Sequence, residues 1–181
     1  MNVTKWRFLT LLMTTMLFAV GCSQEDDTEE TSQRTSIENY LRGQQYPYTE
    51  VSGVYRYVAN ADRADYATSP ILEASGTAII DFAVYSFATG PGQLYYTNRK
   101  ELVDEEYLAD LEQYWPFTSQ EVSLGDSRLL KGVRIGLAGC HEGDSVQLYL
   151  VSSLGYGKKP WGVVPANTPL LWDIVVKQVV K

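Results

Sequence analysis

Few side chains in this sequence could do covalent or acid–base chemistry. Its single histidine, His141, directly follows Cys140, and the only other cysteine is Cys22. A thiol nucleophile needs a base within hydrogen-bond reach, and neighbouring residues of a chain often point apart. With no triad pattern around it, Cys140 reads as a packed residue at the end of an element. A zinc site would need three or four Cys, His or acidic ligands at matched spacing, and the sequence does not offer them. Asp104-Glu105-Glu106 opens an amphipathic stretch, where carboxylates favour a helix N-terminus. Gly155-Tyr156-Gly157 lacks the third glycine of a dinucleotide loop, because residue 160 is proline. No nucleophile elbow, phosphate loop or calcium loop is present. The sequence therefore disfavours metal, nucleotide-cofactor and paired acid–base chemistry, and no cofactor or metal is expected.

What remains is apolar and aromatic. The chain holds 13 Tyr, 4 Trp and 5 Phe. Its last fifty residues place two strand-like runs, Val146/Leu148/Leu150 and Leu170/Trp172/Ile174/Val176, around an irregular loop carrying Tyr156, Trp161, Val163 and Val164. Apolar groups held on a loop between strands point to a binding pocket rather than a connector.

The elements upstream must complete that pocket. Ser36 caps a short helix over 37–42, ended by Gly43. Val54–Val58 reads as a strand. Gly76–Phe87 reads as a long strand, apolar on both faces and so central. Gly90-Pro91-Gly92 is a turn by composition, and Gln93–Asn98 a second strand with Tyr95 and Tyr96. Leu102–Tyr114 is an amphipathic helix, with apolar residues at 103, 107, 108 and 111. Gln120–Leu124 returns as a strand. Ser127–Cys140 fits a strand by its alternation at 133, 135 and 137, and a helix by 130, 133 and 137. Three glycines weaken the helix by roughly 1 kcal/mol each. The sum is an α+β domain of five to six strands, an antiparallel sheet curled over one short helix.

A chain of 181 residues is long enough for one domain with a tail. Lys5 and Arg7, the apolar run Phe8–Val20 and Gly21 have the form of an exported protein's signal peptide over residues 1–21. Ala19-Val20-Gly21-Cys22 resembles a bacterial lipobox, which implies that Cys22 is lipidated and begins the mature chain. Removing residues 1–21 leaves 13 basic against 22 acidic residues, a net charge of −9. That balance excludes nucleic acid as a partner and leaves a lipid anchor as the route to the membrane. Residues 22–36, polar and acidic, are expected to be a disordered tether. Residues 37–74 follow as an N-terminal helix and first strand, and 75–181 as the main domain.

The stretch from Gly132 to Val176 resembles the FKBP family of peptidyl-prolyl isomerases. The pattern stands here as Gly136-Leu137-Ala138-Gly139-Cys140, Glu142-Gly143-Asp144, Leu154-Gly155-Tyr156-Gly157 and Val164-Pro165-Ala166-Asn167 through Leu170-Leu171-Trp172-Asp173. Tyr85-Ser86-Phe87 and Gly92 to Thr97 are similar to the family's upstream strands. The resemblance implies a helix over 130–138 and makes the helix at 102–114 an insertion. It implies Tyr156, Tyr85 and Tyr95 as catalytic residues, with Tyr96, Val122, Leu129, Leu130, Val133, Trp161, Val163, Val164 and Trp172 binding substrate. The Leu130 backbone N–H and the Tyr156 hydroxyl would hold carbonyls of the bound peptide.

This sequence departs from the family's pattern at Val133, where a tryptophan usually floors the pocket, at Tyr96, where an aspartate is usual, and at Ala166, usually proline. The implied function is isomerisation of X-Pro bonds in exported proteins, a folding aid lipid-anchored to the outer membrane on its periplasmic or surface side. The implied partners are proline-containing segments, with macrolides as candidate ligands. A binding or structural module of an envelope complex, with the fold kept and turnover weak or lost, is the alternative.

Overall fold

The computed structural model describes the backbone of residues 21–180 and side chains from residue 27. The expected signal peptide therefore lies outside the described residues except for Gly21, as does the side chain of Cys22. The chain divides into two compact units, residues 1–32 and 33–181.

Helix α1 runs from Gly21 to Gly43. The disordered tether expected over 22–36 is thus a correction: these residues are helical. They have no apolar face to bury, which is why composition suggested disorder. Glu, Gln and Arg are nevertheless good helix formers, and extending a helix from an existing turn costs far less than nucleating one. In the second unit, Ile37 and Leu41 are fully buried and Tyr40 packs beside them. Arg42 donates to Glu38 at 2.8 Å, one turn back.

The strands are β1 (Tyr48–Val51), β2 (Val54–Val58), β3 (Thr77–Phe87), β4 (Pro91–Thr97), β5 (Gln120–Ser123), β6 (Ser145–Leu150) and β7 (Leu170–Val180). They form one antiparallel sheet in the order β1-β2-β6-β7-β3-β4, with β5 also on β3. The expected five to six strands become seven because the exposed β1 pairs with β2 through Ser52-Gly53. Both turn residues have positive φ, 49° and 84°, as a tight two-residue hairpin requires. Since β2 pairs with β6, residues 37–74 and 75–181 share one sheet rather than forming successive regions.

β3 is central, as its two apolar faces imply. One edge carries β7; the other carries β5 along Thr77–Ile80 and β4 along Ala83–Phe87. The buried Asn98 closes the gap between β4 and β5. Its carboxamide accepts from the Phe82 N–H at 2.6 Å and donates to the Ile80 and Thr118 carbonyls at 3.1 and 3.0 Å. One side chain thereby satisfies backbone groups that no strand reaches.

The ambiguous segment is helical: α3 spans Lys131–Leu137 and packs across β2 and β6. Its glycines explain why a helix-weakening composition folds this way. A Cβ on Gly136 would lie 2.6 Å from the Leu148 methyls, and one on Gly132 would lie 2.7 Å from Leu150 and 2.8 Å from the Leu154 carbonyl. Close approach to β6 outweighs the lost propensity. Helix α2 (Glu105–Leu111) is shorter than the 102–114 expected, with a 3-10 turn at Lys100–Leu102 before it, and none of its residues is buried.

Candidate active site

Alternation along the strands sorts the sheet into two faces. Val84 pairs with Trp172, and Trp172 with Leu148, so all three share the face that carries α3. Tyr85 pairs with Leu171, and Leu171 with Tyr149, on the opposite face. Tyr85 is therefore not beside Trp172. Burial, and next the nearby Asp173, raises its hydroxyl's pKa. Asp173 accepts from Arg99 at 3.1 Å. The sequence pattern around Tyr85 is family-like, but parity within the strand sends its ring to the other side.

On the α3 face, Trp172 lies 8% exposed and stacks on Phe82 with ring centroids 5.5 Å apart. Phe82 was absent from the expected site, although it has the parity of Val84 in β3. Tyr96 pairs with Val84 and so shares this face, while Tyr95 falls in the β-bulge where β4 shifts register. Val133 is fully buried and Val164 1% exposed; both belong to the core beneath the site. Leu129 and Leu130 are partly buried against that core at the start of α3. The Leu130 N–H has no hydrogen-bond partner among the described residues. Val122 shares the face but pairs with Ala78, six β3 residues from the Val84–Trp172 pair, about 20 Å of strand. That separation removes it from the immediate site.

The loop over 155–167 supplies the rim. Tyr156 and Trp161 stack nearly parallel, 5.8 Å apart and 6° between planes. Trp161 and Val164 exchange backbone hydrogen bonds of 2.9 Å, which buries Val164 and turns Val163 outward. The Tyr96 hydroxyl donates to the Trp161 carbonyl at 3.3 Å. Gly162, at φ +55°, is required there, since a Cβ would meet that hydroxyl at 2.5 Å. Gln33 secures the loop from α1. Its Nε2 donates to the Asn167 carbonyl at 3.2 Å, and its Oε1 accepts from the Ser152 N–H at 2.8 Å. The loop is held in place by these bonds.

Burial, followed by the neighbouring Tyr96, pushes the Tyr156 pKa up, so this hydroxyl stays protonated and able to donate. It has no hydrogen-bond partner among the described residues. Cys140 is 1% exposed and burial pushes its thiol to about 11, which leaves it a poor nucleophile at neutral pH. His141 stacks on Tyr66, 4.3 Å away. Nucleophilic chemistry has no footing at this pair.

A cavity of about 710 Å³ opens beside the rim, lined by Tyr95, Tyr96 and Val163 together with the 102–117 segment. The family resemblance makes that segment an insertion, with no part in the site.

Residues 98–177 match the family described as FKBP-type peptidyl-prolyl cis-trans isomerase. The match runs from Asn98 through α2, β5, α3, β6 and the rim loop into β7. No curated protein matches the sequence. Among solved structures, a peptidyl-prolyl cis-trans isomerase from Pseudomonas syringae pv. tomato superposes with a TM-score of 0.60 at 16% identity, covering 86% of this chain and 96% of that one. The N-terminal domain of FKBP42 from Arabidopsis thaliana gives a TM-score of 0.49 at 18% identity, covering 74% and 94%. This is an α+β protein with a curled antiparallel sheet and an apolar, aromatic candidate site. Residues 98–177 carry the FKBP-type peptidyl-prolyl isomerase pattern, and the sheet around them has the FKBP-like fold.

Proposed function

We propose that the chain is an FKBP-type peptidyl-prolyl cis-trans isomerase acting on proline-containing segments of exported proteins. The observation that carries this reading is the stacked Tyr156–Trp161 pair on a loop bonded by Tyr96 of β4, a strand that puts Tyr96 on the same sheet face as the stacked Trp172 and Phe82. An X-Pro bond turns over slowly because twisting it sacrifices amide resonance, a barrier of roughly 20 kcal/mol. The twisted amide is less polar than the planar one. A site walled by aromatic rings and poor in water favours the twisted form over the ground state. Trp172 and Phe82 take the place of the missing floor tryptophan. The free Leu130 N–H and the Tyr156 hydroxyl hold carbonyls on either side of the proline.

A protease-coupled assay on short X-Pro peptides tests this directly. Turnover above the uncatalysed rate is expected; a folded sample with none removes the enzyme reading. A binding module with weak turnover is the second reading. It is favoured by Tyr96, whose hydroxyl is engaged with the Trp161 carbonyl where the family has a carboxylate. Peptide binding without turnover would select it.

The chain acts from the cell envelope, held to the outer membrane by acyl groups on Cys22, and assists folding there. Among the described residues, no helix is long and apolar enough to cross a membrane. Labelling with radioactive palmitate should mark the wild type and not Cys22→Ser; label on both, or on neither, rejects the anchor. Macrolides are tested as competitors in the same turnover assay.

A further inference from the structure

The groove between β4 and the 102–117 segment meets the prolyl site only at Tyr95, Tyr96 and Val163, and its far wall has no part in the isomerisation just proposed. An amphipathic helix ordinarily turns its apolar stripe into a core. In α2 that stripe stays open: Tyr107 is 56% and Leu111 41% exposed, and both line the cavity with Leu102, Tyr95 and Tyr96. The wall is nevertheless anchored. Trp115 donates its Nε1–H to the Thr97 carbonyl at 2.7 Å, Asn98 binds the Thr118 carbonyl, and Lys100 pairs with Glu112.

Two features identify what fits there. Asp104 and Asp110 also line the cavity, and neither has an ion-pair partner among the described residues. Unneutralised carboxylates beside an apolar floor favour Lys or Arg side chains, whose methylene stems lie on apolar surface while the charge reaches the acid. The groove is also continuous with the rim of the prolyl site. It shares Tyr96, which bonds to Trp161, and Val163, two residues beyond Trp161. An extended peptide advances about 3.3 Å per residue. Seven residues of helix span about 10 Å, so three or four peptide residues cover the wall.

We propose that this groove is a second subsite, which takes the apolar and basic residues flanking the proline of an unfolded polypeptide. The continuity argument rests on the isomerase reading, but the test separates the two. Full-length protein is titrated with a fluorescein-labelled twelve-residue peptide in which proline is flanked by Leu, Phe, Lys and Arg. A control peptide carries Glu in place of Lys and Arg. Turnover of a four-residue X-Pro peptide, too short to fill the prolyl site and also cover the groove wall, is measured in parallel.

The variant Tyr107→Ser/Leu111→Ser should bind the basic peptide at least tenfold more weakly and turn over the short peptide as wild type does. Asp104→Asn/Asp110→Asn should lose the preference for the basic over the acidic peptide. Circular dichroism confirms that each variant is folded. Unchanged affinity in both variants, or equal affinity of the wild type for the two peptides, overturns the subsite. Self-association of the wild type that Tyr107→Ser/Leu111→Ser abolishes overturns it too, by making a second copy the occupant. Basic-peptide binding lost in the groove variant, in a protein with no turnover of any peptide, supports the subsite and rejects the isomerase reading.

Discussion

The two faces of the central sheet are built from similar residues and end in opposite states. Opposite α3, Tyr40, Phe87 and Tyr149 meet edge to face or tilted, with centroids 5.3 to 6.0 Å apart, and Tyr149 is fully buried. Ile37 and Leu41 of α1 are buried in the same core, and Tyr55 donates to Glu38 at 3.0 Å. On the α3 face the aromatics stop short of closure. Trp172 and Phe82 are buried, but Tyr156 is only partly covered and Trp161 is 62% exposed. Aromatic content therefore says little about which rings bind and which merely pack. The difference is the cover: the second half of α1 lies over one face, whereas α3 and a turned-back loop leave a margin open on the other.

If that contrast is right, changes on the α1 face should cost stability and spare turnover. Leu41→Ala should lower unfolding free energy by about 2–5 kcal/mol in a urea titration. Its kcat/KM on short X-Pro peptides should stay at the wild-type value below the transition; a matching loss of turnover would mean the faces are coupled. Gly136→Ala should do both kinds of damage, because the added methyl pushes α3 away from Leu148. Overpacking of this kind costs about 1–3 kcal/mol, and turnover should fall with it.

The alkaline limb of stability sharpens the comparison. An unfolded tyrosine titrates near 10, while burial, and next the hydrogen bond to Glu38, push Tyr55 up to about 12. Burial raises Tyr149 further. A raised folded pKa gives stability that is complete below pH 10 and lost as pH rises toward 12. Urea midpoints should fall across that window and fall less in Tyr55→Phe; a flat profile would remove the argument.

Two smaller effects belong to the open face. Trp161→Ala loses a ring stack worth about 0.5–1.5 kcal/mol and should show mainly as weaker peptide binding, with a small change in the thermal midpoint. Tyr156→Phe should leave stability unchanged and cut kcat/KM by about two- to tenfold, the value of one hydrogen bond of about 0.5–1.5 kcal/mol. Activity untouched by that change would strip the hydroxyl of its role.

Much of this was legible in the residues themselves. The strands at 54–58 and 76–87, the helix implied over 130–138, and the rim loop with Tyr156, Trp161 and Val163 all follow from pattern and motif. Tyr85 and Val122 lie away from the Trp172 face or its centre. A motif fixes spacing along a strand but not which face parity gives a side chain, or which β3 residue lies opposite. Phe82 carries no local signal, because it sits among apolar residues of a strand with two apolar faces. The 102–114 periodicity was real, but periodicity marks an apolar stripe without saying whether protein or a ligand covers it.

The sequence alone determined the order of the elements and the glycines without which α3 could not sit on β6. Those depend on local residue types and short-range spacing. Which tyrosine faces the site, what α1 shields and where the groove beside α2 opens were decided only by the folded chain. Cross-strand register and the packing of distant segments are set by contacts between residues far apart in sequence, and no local pattern encodes them.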